Sequence, residues 1–384
     1  MPDRHFPVRP NLEQLKHQAK DLLRADPSLG KLAHAQHALA RSYGLPSWPR
    51  LVLACRMTDA IWRDDVEAVR ALALRHPRLL QENARGVAQS NWGPPMSYAA
   101  NLGRDRIIAV LRELGADDLN FAFDRACLQG QIDTARQLYV MGARPDAESL
   151  DGPCETQCGS GFVYLLDLGC EVNLSHIALL LQTYSRNPQG KHQCLESAAT
   201  RGIVLPDTPP MAIHRGRIDL LEHHLDRIND TFSHEDIYPP SLGCDADHTK
   251  ALHGTPLAGG GLLHLAVDND EIEIAQWLLA HGAEVNLRAA IDADGFGGHT
   301  PLFGCVVSQP YRVGRRSSMA RLLLDHGADP NVHASLRKRL RYVEDETMQE
   351  YRDVTPLAWG EQFHDQDWVD RDAMRLIADS RETP

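Results

Sequence analysis

Apolar residues recur at helical spacing ahead of a series of glycines along the chain. Before Gly282 and Gly327 they stand at offsets of eight, seven, four and three residues. These sets are Ile274, Ala275, Leu278 and Leu279, and Met319, Ala320, Leu323 and Leu324. Such offsets fall on one face of a helix, so the pattern predicts an amphipathic helix that ends at each glycine. Glycine adopts the left-handed conformation needed there without a steric penalty.

Similar apolar sets precede Gly115, Gly142 and Gly169, and Gly202 follows Gly169 after 33 residues. A shorter helix is predicted upstream, because three triplets share one spacing with a small residue at the middle position. These triplets are Met96, Ala99 and Ala100; Phe123, Ala126 and Cys127; and Leu263, Ala266 and Val267. Small side chains there allow neighbouring helices to approach closely.

Thr208, Thr300 and Thr355 each precede a proline and are placed to open a helix, with Thr as N-cap and Pro at the first helical position. The pattern resembles the ankyrin repeat, which has a Thr-Pro-Leu opening, a pair of small residues, a second helix that ends as in LLAHGAEVN and LLDHGADPN, and a 33-residue period. With its N-terminal helical segment, the chain is similar to bacterial-type ankyrin-repeat proteins that carry an N-terminal helical cap. The clearest units are 259–286 and 297–331. Weaker units cover 58–82, 93–118, 120–145, 146–173, 175–205, 208–230 and 355–379.

The resemblance implies an all-α solenoid, a right-handed stack of helical hairpins in which each repeat buries its apolar face against its neighbours. Turn-like fingers would project to one side and line a concave groove together with the first helices. His264 stands at the fourth position of the helix-opening motif, where the family uses histidine to tie neighbouring loops. We interpret 58–384 as the array and 1–57 as a helical capping segment, because Leu12 and Leu15 begin an apolar series at helical spacing.

Three departures from the period place extra material in the C-terminal half of the chain. They are residues 231–258, 308–316 and 332–354. The third contains basic residues followed by acidic ones, which predicts a self-compensating charged helix in preference to a surface for an acidic partner. These residues are Arg337, Lys338, Arg339 and Arg341, then Glu344, Asp345 and Glu346.

The 384-residue chain has 40 Lys and Arg against 52 Asp and Glu, a formal net charge of −12. This excess of acid argues against nonspecific binding to nucleic acid or to an anionic membrane. No stretch approaches the ~18 apolar residues of a membrane span, and no apolar run follows the charges at the N-terminus. We therefore expect a soluble, cytoplasmic protein.

Metal sites find little support in the sequence. The 8 cysteines include no Cys-x-x-Cys pair; Cys154, Cys158 and Cys170 could supply three thiolates to zinc, but no spacing provides the fourth ligand. The run from Asp292 to Gly295 resembles the start of a calcium loop, yet the EF-hand spacing would need a glutamate where Phe303 stands. We expect reduced thiols and no cofactor or metal.

The 231–258 insertion concentrates titratable side chains. Five of them are candidates for acid–base or metal-dependent chemistry: Asp236, Tyr238, Asp245, His248 and His253. No motif spacing fixes their geometry, so a solvated loop stiffened by Pro239 and Pro240 is the favoured alternative.

The favoured function is a scaffold that binds a protein or peptide on the concave finger and groove surface, mainly in the C-terminal half. The resemblance gives no information on the partner. Residues assigned to partner contact are Asp292, Asp294, Phe296, His299 and Trp92. The alternative is an enzyme or metal-dependent small-molecule-binding protein, with a hydrolase- or isomerase-like site built on 231–258. It requires the insertion to fold over the fingers and bring its candidates together with Asp292 or Asp294 around a pocket.

Overall fold

A computed structural model describes residues 5–87, 90–246, 254–308, 316–340 and 346–381. The chain folds as two compact units. The N-terminal unit comprises residues up to 153 together with 160–170, and the C-terminal unit comprises 154–159 together with 171–384. None of the helices in the described ranges combines the length and the apolar character that crossing a bilayer needs.

The N-terminal unit consists of short helices. They are α1 (Leu12–Ala25), α2 (Leu32–Ser42), α3 (Trp48–Trp62), α4 (Val66–Arg75), α5 (Pro95–Ala100), α6 (Asp105–Glu113), α7 (Leu119–Leu128) and α8 (Ile132–Val140), while α9 (Asp151–Thr156) and α10 (Gly159–Asp167) include the residues at which the units divide. Helices α3 and α4, α5 and α6, and α7 and α8 pack as successive pairs, and α5 packs on both α3 and α7. Ala99 and Ala126 are fully buried, as expected where helix axes lie close together.

Two helices, α1 and α2, precede the first pair. Leu15 and Ala19 on α1 and Leu39 on α2 form one apolar cluster. Trp48 packs against this cluster at the start of α3, where the Ser47 hydroxyl accepts a hydrogen bond from the Arg50 amide at 3.3 Å. Helix α3 runs through residues 57 and 58, so the end of the cap lies within a helix that pairs with α4.

The C-terminal unit continues the pairs and adds two strands. Its helices are α11 (Leu174–Gln182), α12 (Pro188–Thr200), α13 (Pro209–His214), α14 (Ile218–Leu221), α15 (His234–Ile237), α16 (Leu262–Asp268), α17 (Ile272–Ala280), α18 (Ser317–Asp325), α19 (Pro356–Gln362) and α20 (Arg371–Arg381), and its strands are β1 (Ala334–Lys338) and β2 (Gln349–Val354). The helix expected after Thr300 is a 3₁₀ helix, Pro301–Cys305.

The predicted glycine turns are present. Gly282 and Gly327 have φ values of +91° and +85°. The amide that follows each glycine donates to the carbonyl five residues back, from Ala283 to Leu278 at 2.9 Å and from Ala328 to Leu323 at 3.0 Å. This is the Schellman arrangement, which satisfies carbonyls at the end of a helix.

An asparagine bond that the sequence pattern did not reveal joins each turn to the preceding repeat. Asn286 accepts from the Asp329 amide at 2.8 Å and donates to the Gly327 carbonyl at 2.9 Å. Asn229 makes the same pair of bonds to Glu284 and Gly282, at 2.8 and 3.1 Å. The asparagine that ends LLAHGAEVN therefore fixes the next repeat in register.

Two of the three predicted threonine caps form. The hydroxyls of Thr208 and Thr355 accept from the amides of Met211 and Ala358, whereas the buried Thr300 hydroxyl makes no hydrogen bond within the described residues. The segment that follows Thr300 is wound as a 3₁₀ helix, in which the amides are placed differently from those of an α-helix.

The 332–354 segment corrects one prediction, because its described part forms an antiparallel hairpin and not a charged helix. Leu336 pairs with Tyr351, and Lys338 pairs with Gln349. Along β1, Ala334, Leu336 and Lys338 are buried and alternate with half-buried residues, which is the period of a strand. Arg341, Glu344 and Asp345 lie outside the described residues.

The 231–258 insertion folds back over the repeats that precede it. Its base is closed by two backbone bonds, from the Phe232 amide to the Gly260 carbonyl at 2.9 Å and from the Gly259 amide to the Phe232 carbonyl at 2.8 Å. Helix α15 packs on α13, and the 3₁₀ helix Pro240–Leu242 packs on α11. The insertion therefore covers part of the first helices of two repeats.

Replacing Gly282 by Ala should lower the free energy of unfolding by about 1–2 kcal/mol, since a Cβ atom disfavours left-handed φ by that amount. Gly282→Asn should cost less, because asparagine tolerates this conformation. Urea unfolding of the two variants and the parent measures the difference. Equal stability of the alanine variant and the parent would contradict the turn geometry.

Candidate functional site

Each described candidate of the insertion is held by contacts within the fold. The Asp236 carboxylate accepts from the Ser233 amide at 2.8 Å and from the Ser233 hydroxyl at 2.7 Å, which caps α15. Asp245 is held through its backbone, since its amide donates to the Gln182 side chain at 2.8 Å and its carbonyl accepts from Gln182 at 3.0 Å. His248 and His253 lie outside the described residues.

Tyr238 is buried beneath the insertion, with 2% of its surface exposed. Its ring lies 5.6 Å from the ring of His214 and 5.1 Å from that of His234. Burial raises the pKa of the Tyr238 hydroxyl above its usual value, and the charges of Arg186 and Asp268 act on it in opposite directions. The hydroxyl therefore stays protonated at physiological pH, which suits a packing residue better than a general base.

Three buried cations converge on the turn between α16 and α17, residues 267–271, here called the carboxylate turn. Arg186 donates to the Asp268 carboxylate at 2.8 Å, and both side chains are at most 3% exposed. Lys191 lies 3.3 Å from the Glu271 carboxylate and donates to the Asn269 side chain at 3.0 Å.

Arg316 supplies the third cation. Its guanidinium lies 3.3 Å from the Asp270 carboxylate and donates to the Asp268 carbonyl at 3.2 Å. Burial lowers the pKa of Lys191, which Glu271 partly restores. Each charge of the carboxylate turn meets an opposite charge, so the network ties this turn to the residues at 186, 191 and 316.

The finger, residues 289–299, carries four of the five residues assigned to partner contact. The Asp292 carboxylate accepts from the amides of Asp294 and Phe296, both at 2.9 Å, which shapes the finger tip. Arg337 of β1 then bridges both acids, at 2.7 Å to Asp292 and 2.9 Å to Asp294. The charge of Arg337 therefore lies against both acids of the finger tip.

Phe296 is only 5% exposed. Two guanidinium groups lie over its ring, Arg337 at 4.9 Å and Arg352 at 4.2 Å from the ring centroid. Cations over an aromatic face are mutually stabilising. Phe296 therefore fastens the finger to both strands of the hairpin.

A cavity of about 140 Å³ lies between the finger, the segment 256–258 and the hairpin. Finger and hairpin are joined at its edge by two backbone bonds between Gly297 and Ser335, at 2.7 and 3.2 Å. Phe296, Leu336 and the half-exposed Met348 contribute apolar surface. The polar lining residues are Asp292, His299, Ser335, Arg337, Lys338 and Arg339.

His299 and His264 form a buried chain of neutral imidazoles. His264 accepts from the Gly261 amide at 3.1 Å through Nδ1 and donates from Nε2 to the His299 carbonyl at 3.0 Å, so it ties neighbouring loops as predicted. His299 donates from Nε2 to the Pro256 carbonyl at 2.9 Å. Burial lowers the pKa of His264 to about 4 and that of His299 to about 3.

Trp92, the fifth residue assigned to partner contact, belongs to the N-terminal unit. It is half-buried, and its ring lies 5.0 Å from that of Tyr98. The same unit has an open groove of about 710 Å³ between the start of α1 and helices α3 and α4. In this groove Arg9 and Arg63 both form ion pairs with Asp59, at 3.2 and 3.0 Å.

Sequence reasoning missed a series of three side chains in contact beside the hairpin, which consists of a tyrosine, a histidine and a glutamate. The Tyr351 hydroxyl lies 2.6 Å from His364 Nδ1, and His364 Nε2 lies 2.8 Å from the Glu346 carboxylate. The Tyr351 hydroxyl also accepts from the His364 amide at 3.0 Å. No local spacing connects these residues; the series holds β2 against the loop after α19.

Metal binding gains no support from the described residues, in which no group of three or more His, Cys, Asp or Glu side chains is placed to hold an ion. The comparison with protein families finds a match within the C-terminal unit. Residues 211–334 match the family model for ankyrin repeats, with 3 copies. This part of the chain therefore consists of ankyrin repeats. No curated protein matches the sequence of the chain.

Solved ankyrin domains are similar to the chain at low identity. The ankyrin repeat domain of human ASB11 is 17% identical, with 74% of this chain and 97% of that chain covered and a TM-score of 0.27. The ankyrin repeat domain of Bcl-3 is 15% identical, with 84% and 97% covered and a TM-score of 0.23.

Replacing Asp268 by Ala should cost about 3–5 kcal/mol of unfolding free energy, because it leaves Arg186 buried without its carboxylate. Adding Arg186→Met in the same chain should recover part of the loss, since the uncompensated charge is then removed. Denaturant unfolding of the single and double variants tests this. Asp219→Ala, which breaks an exposed pair with Arg217, is the control and should cost far less. A double variant less stable than the single one would contradict the ionic role.

The ankyrin stack should lose stability as the pH falls from about 6.5 toward 4. The folded pKa of His264 lies below the unfolded value of about 6.5. Its contribution is therefore complete above pH 6.5 and is lost as the unfolded chain takes up a proton, at about 1.4 kcal/mol per pH unit. Unfolding measured between pH 7 and 4 should show this slope, and His264→Gln should reduce it. An unchanged slope in that variant would refute the assignment.

Proposed function

We propose that this ankyrin-repeat protein is a scaffold that binds a partner protein on the finger and hairpin surface of its C-terminal unit. This surface is defined by the finger, by β1 and β2, and by Arg339 and Met348 at the cavity rim. The observation that supports it is the cavity between finger and hairpin, which is lined by Arg337, Arg339 and Met348 beside the buried Phe296. Such residues are enriched in the core of protein interfaces.

The placement of the insertion supports the same surface. Ile237 and Leu242 of the insertion are each 2% exposed and pack over the first helices α13 and α11. These helix faces are therefore covered by the insertion and are not accessible to a partner of the C-terminal unit. The finger tip and the hairpin, in contrast, keep Asp294 67% and Arg337 33% exposed.

The partner surface also has the rigidity that recognition favours. Asp292 organises the finger tip through its own backbone, and Arg337 fixes both acids of the finger to β1. Side chains held in place before binding lose little conformational freedom when a partner docks. The ion pairs of the finger would in this way prepare the site.

A photo-reactive amino acid at position 348 should form an adduct with the partner, whereas the same residue at Val204, which is 84% exposed, should form none. Arg339→Glu should reduce the yield and the affinity at least tenfold, or about 1.4 kcal/mol, because it reverses a charge at the rim. Arg321→Glu, on the exposed face of α18, is the matched control. Adducts that form equally at 204, or that survive Arg339→Glu unchanged, would show that the surface is not used.

A further inference from the structure

A short segment ahead of α1, residues 6–10 and here called the arm, forms neither helix nor strand. No backbone–backbone hydrogen bond joins the arm to the other described residues. Its carbonyls are bound by side chains instead. Arg85 donates from Nη2 to the Phe6 carbonyl and from Nε to the Pro7 carbonyl, the second bond at 3.2 Å. The arm is therefore held in the way that a peptide ligand is held.

An aromatic pair binds the next carbonyl of the arm. The Tyr98 hydroxyl donates to the Val8 carbonyl at 2.8 Å and accepts from the Trp62 indole at 2.6 Å. Trp62 ends α3 and Tyr98 belongs to α5, so two neighbouring first helices form this part of the groove. Grooves lined by aromatic rings are a common means of binding segments that contain proline.

Arg85 is a buried cation that depends on the arm. It is 4% exposed, and its hydrogen bonds within the described residues go to arm carbonyls. Burial lowers the pKa of its guanidinium, because the charged form is removed from water. A buried charge without acceptors is costly. The groove therefore requires oxygen atoms in contact with Arg85, either from the arm or from a segment that takes its place.

Two side chains of the arm, three positions apart, fix its register in the groove. Phe6 is 2% exposed, lies in the apolar cluster of the cap and meets Tyr43 edge to face, at 5.3 Å between ring centroids. The guanidinium of Arg9 lies 5.2 Å from the centroid of the Trp62 ring and 3.2 Å from the Asp59 carboxylate. An aromatic ring and a guanidinium are thus the two features that the groove recognises.

The Arg9 end of the arm borders open space. Arg9 and Pro10 line the open groove of about 710 Å³, to which Ala68 and Leu72 of α4 add apolar surface. About half of the Arg9 side chain is exposed. A competing segment therefore has room to approach beside Arg9 and to replace the arm from that end.

We propose that the groove under the arm is a binding site for a partner segment of the pattern aromatic–Pro–aliphatic–Arg, and that the arm occupies this site until such a segment displaces it. Prolines restrict the backbone before binding, so a segment of this kind loses little conformational freedom on docking. The arm competes at the high effective concentration of a tethered ligand. The site belongs to the N-terminal unit and is independent of the finger and hairpin surface.

The test uses the full-length protein and a fluorescently labelled peptide, HFPVRPN, which has the sequence of residues 5–11. Phe6→Ala removes the ring that anchors the arm, so this variant should bind the peptide at least about tenfold more tightly than the parent does in an anisotropy titration. Phe121→Ala, at an exposed phenylalanine of the same unit, is the matched control and should behave as the parent. The reversed peptide NPRVPFH should bind at least about tenfold more weakly to Phe6→Ala. No binding of HFPVRPN to this variant, or equal binding of both peptides, would overturn the proposal.

A second variant covers the case in which Phe6→Ala fails to fold. Arg9→Ala loses the pair with Asp59 and the contact with Trp62 at an exposed position, so it should bind HFPVRPN about threefold more tightly than the parent. Arg24→Ala, which breaks an exposed pair with Asp21 on α1, is its control. Equal affinities of the two variants would show that the arm does not compete for the site.

The carbonyl donors provide an independent readout. Tyr98→Phe keeps the ring but removes the hydroxyl that donates to the third carbonyl, and it leaves the Trp62 indole without its acceptor. Added to Phe6→Ala, it should weaken the binding of HFPVRPN about tenfold. Unchanged affinity would place the peptide elsewhere and overturn the proposal. Because these titrations use only the N-terminal unit's groove, their failure and the failure of cross-linking at position 348 are separate results.

Discussion

The structure depends on apolar faces that no helix pair can cover alone. Ala99, Ala126 and Ala266 lie fully buried on first helices that contact their neighbours, so each repeat is stable only because the next one removes its surface from water. The glycine turns end the second helices at the right point. The asparagine bonds then carry the register from one repeat to the next, since Asn286 pairs with an amide and a carbonyl of the following turn.

Most of the helices could be predicted from residues that lie close together in the sequence. Contacts between residues far apart in the chain left no recognisable pattern in the sequence. The turns at Gly282 and Gly327 follow from the apolar residues immediately before them, because helix and cap are settled within one segment. The hairpin was wrongly predicted as a helix because its charges suit both structures. What decides the strand is the pairing of Leu336 with Tyr351 and the burial of Lys338, and neither can be recognised from the residues nearby.

The candidate site illustrates the same limit. Titratable residues in the insertion and the finger suggested chemistry, yet Asp236 caps a helix and Asp292 shapes a turn, while both finger acids meet an arginine more than 40 residues further along the chain. Acidic side chains often serve backbone amides in loops of this kind. The sequence did indicate the finger as an edge of the array, but the cavity beside it arises from three separate segments and has no signature in any one of them.

Charge gives the stack a specificity that apolar packing alone does not. First helices with similar alanine and leucine faces could pack on a wrong neighbour at little cost. The carboxylate turn matches its acids with Arg186 in the loop before α12, Lys191 in α12 and Arg316 directly before α18. A shifted stack would leave these buried charges unpaired, at a cost of about 3–5 kcal/mol for each broken pair. Buried ion pairs add little net stability compared with apolar residues of the same size, so we infer that the pairs of the carboxylate turn act mainly by favouring one arrangement of the repeats over shifted ones.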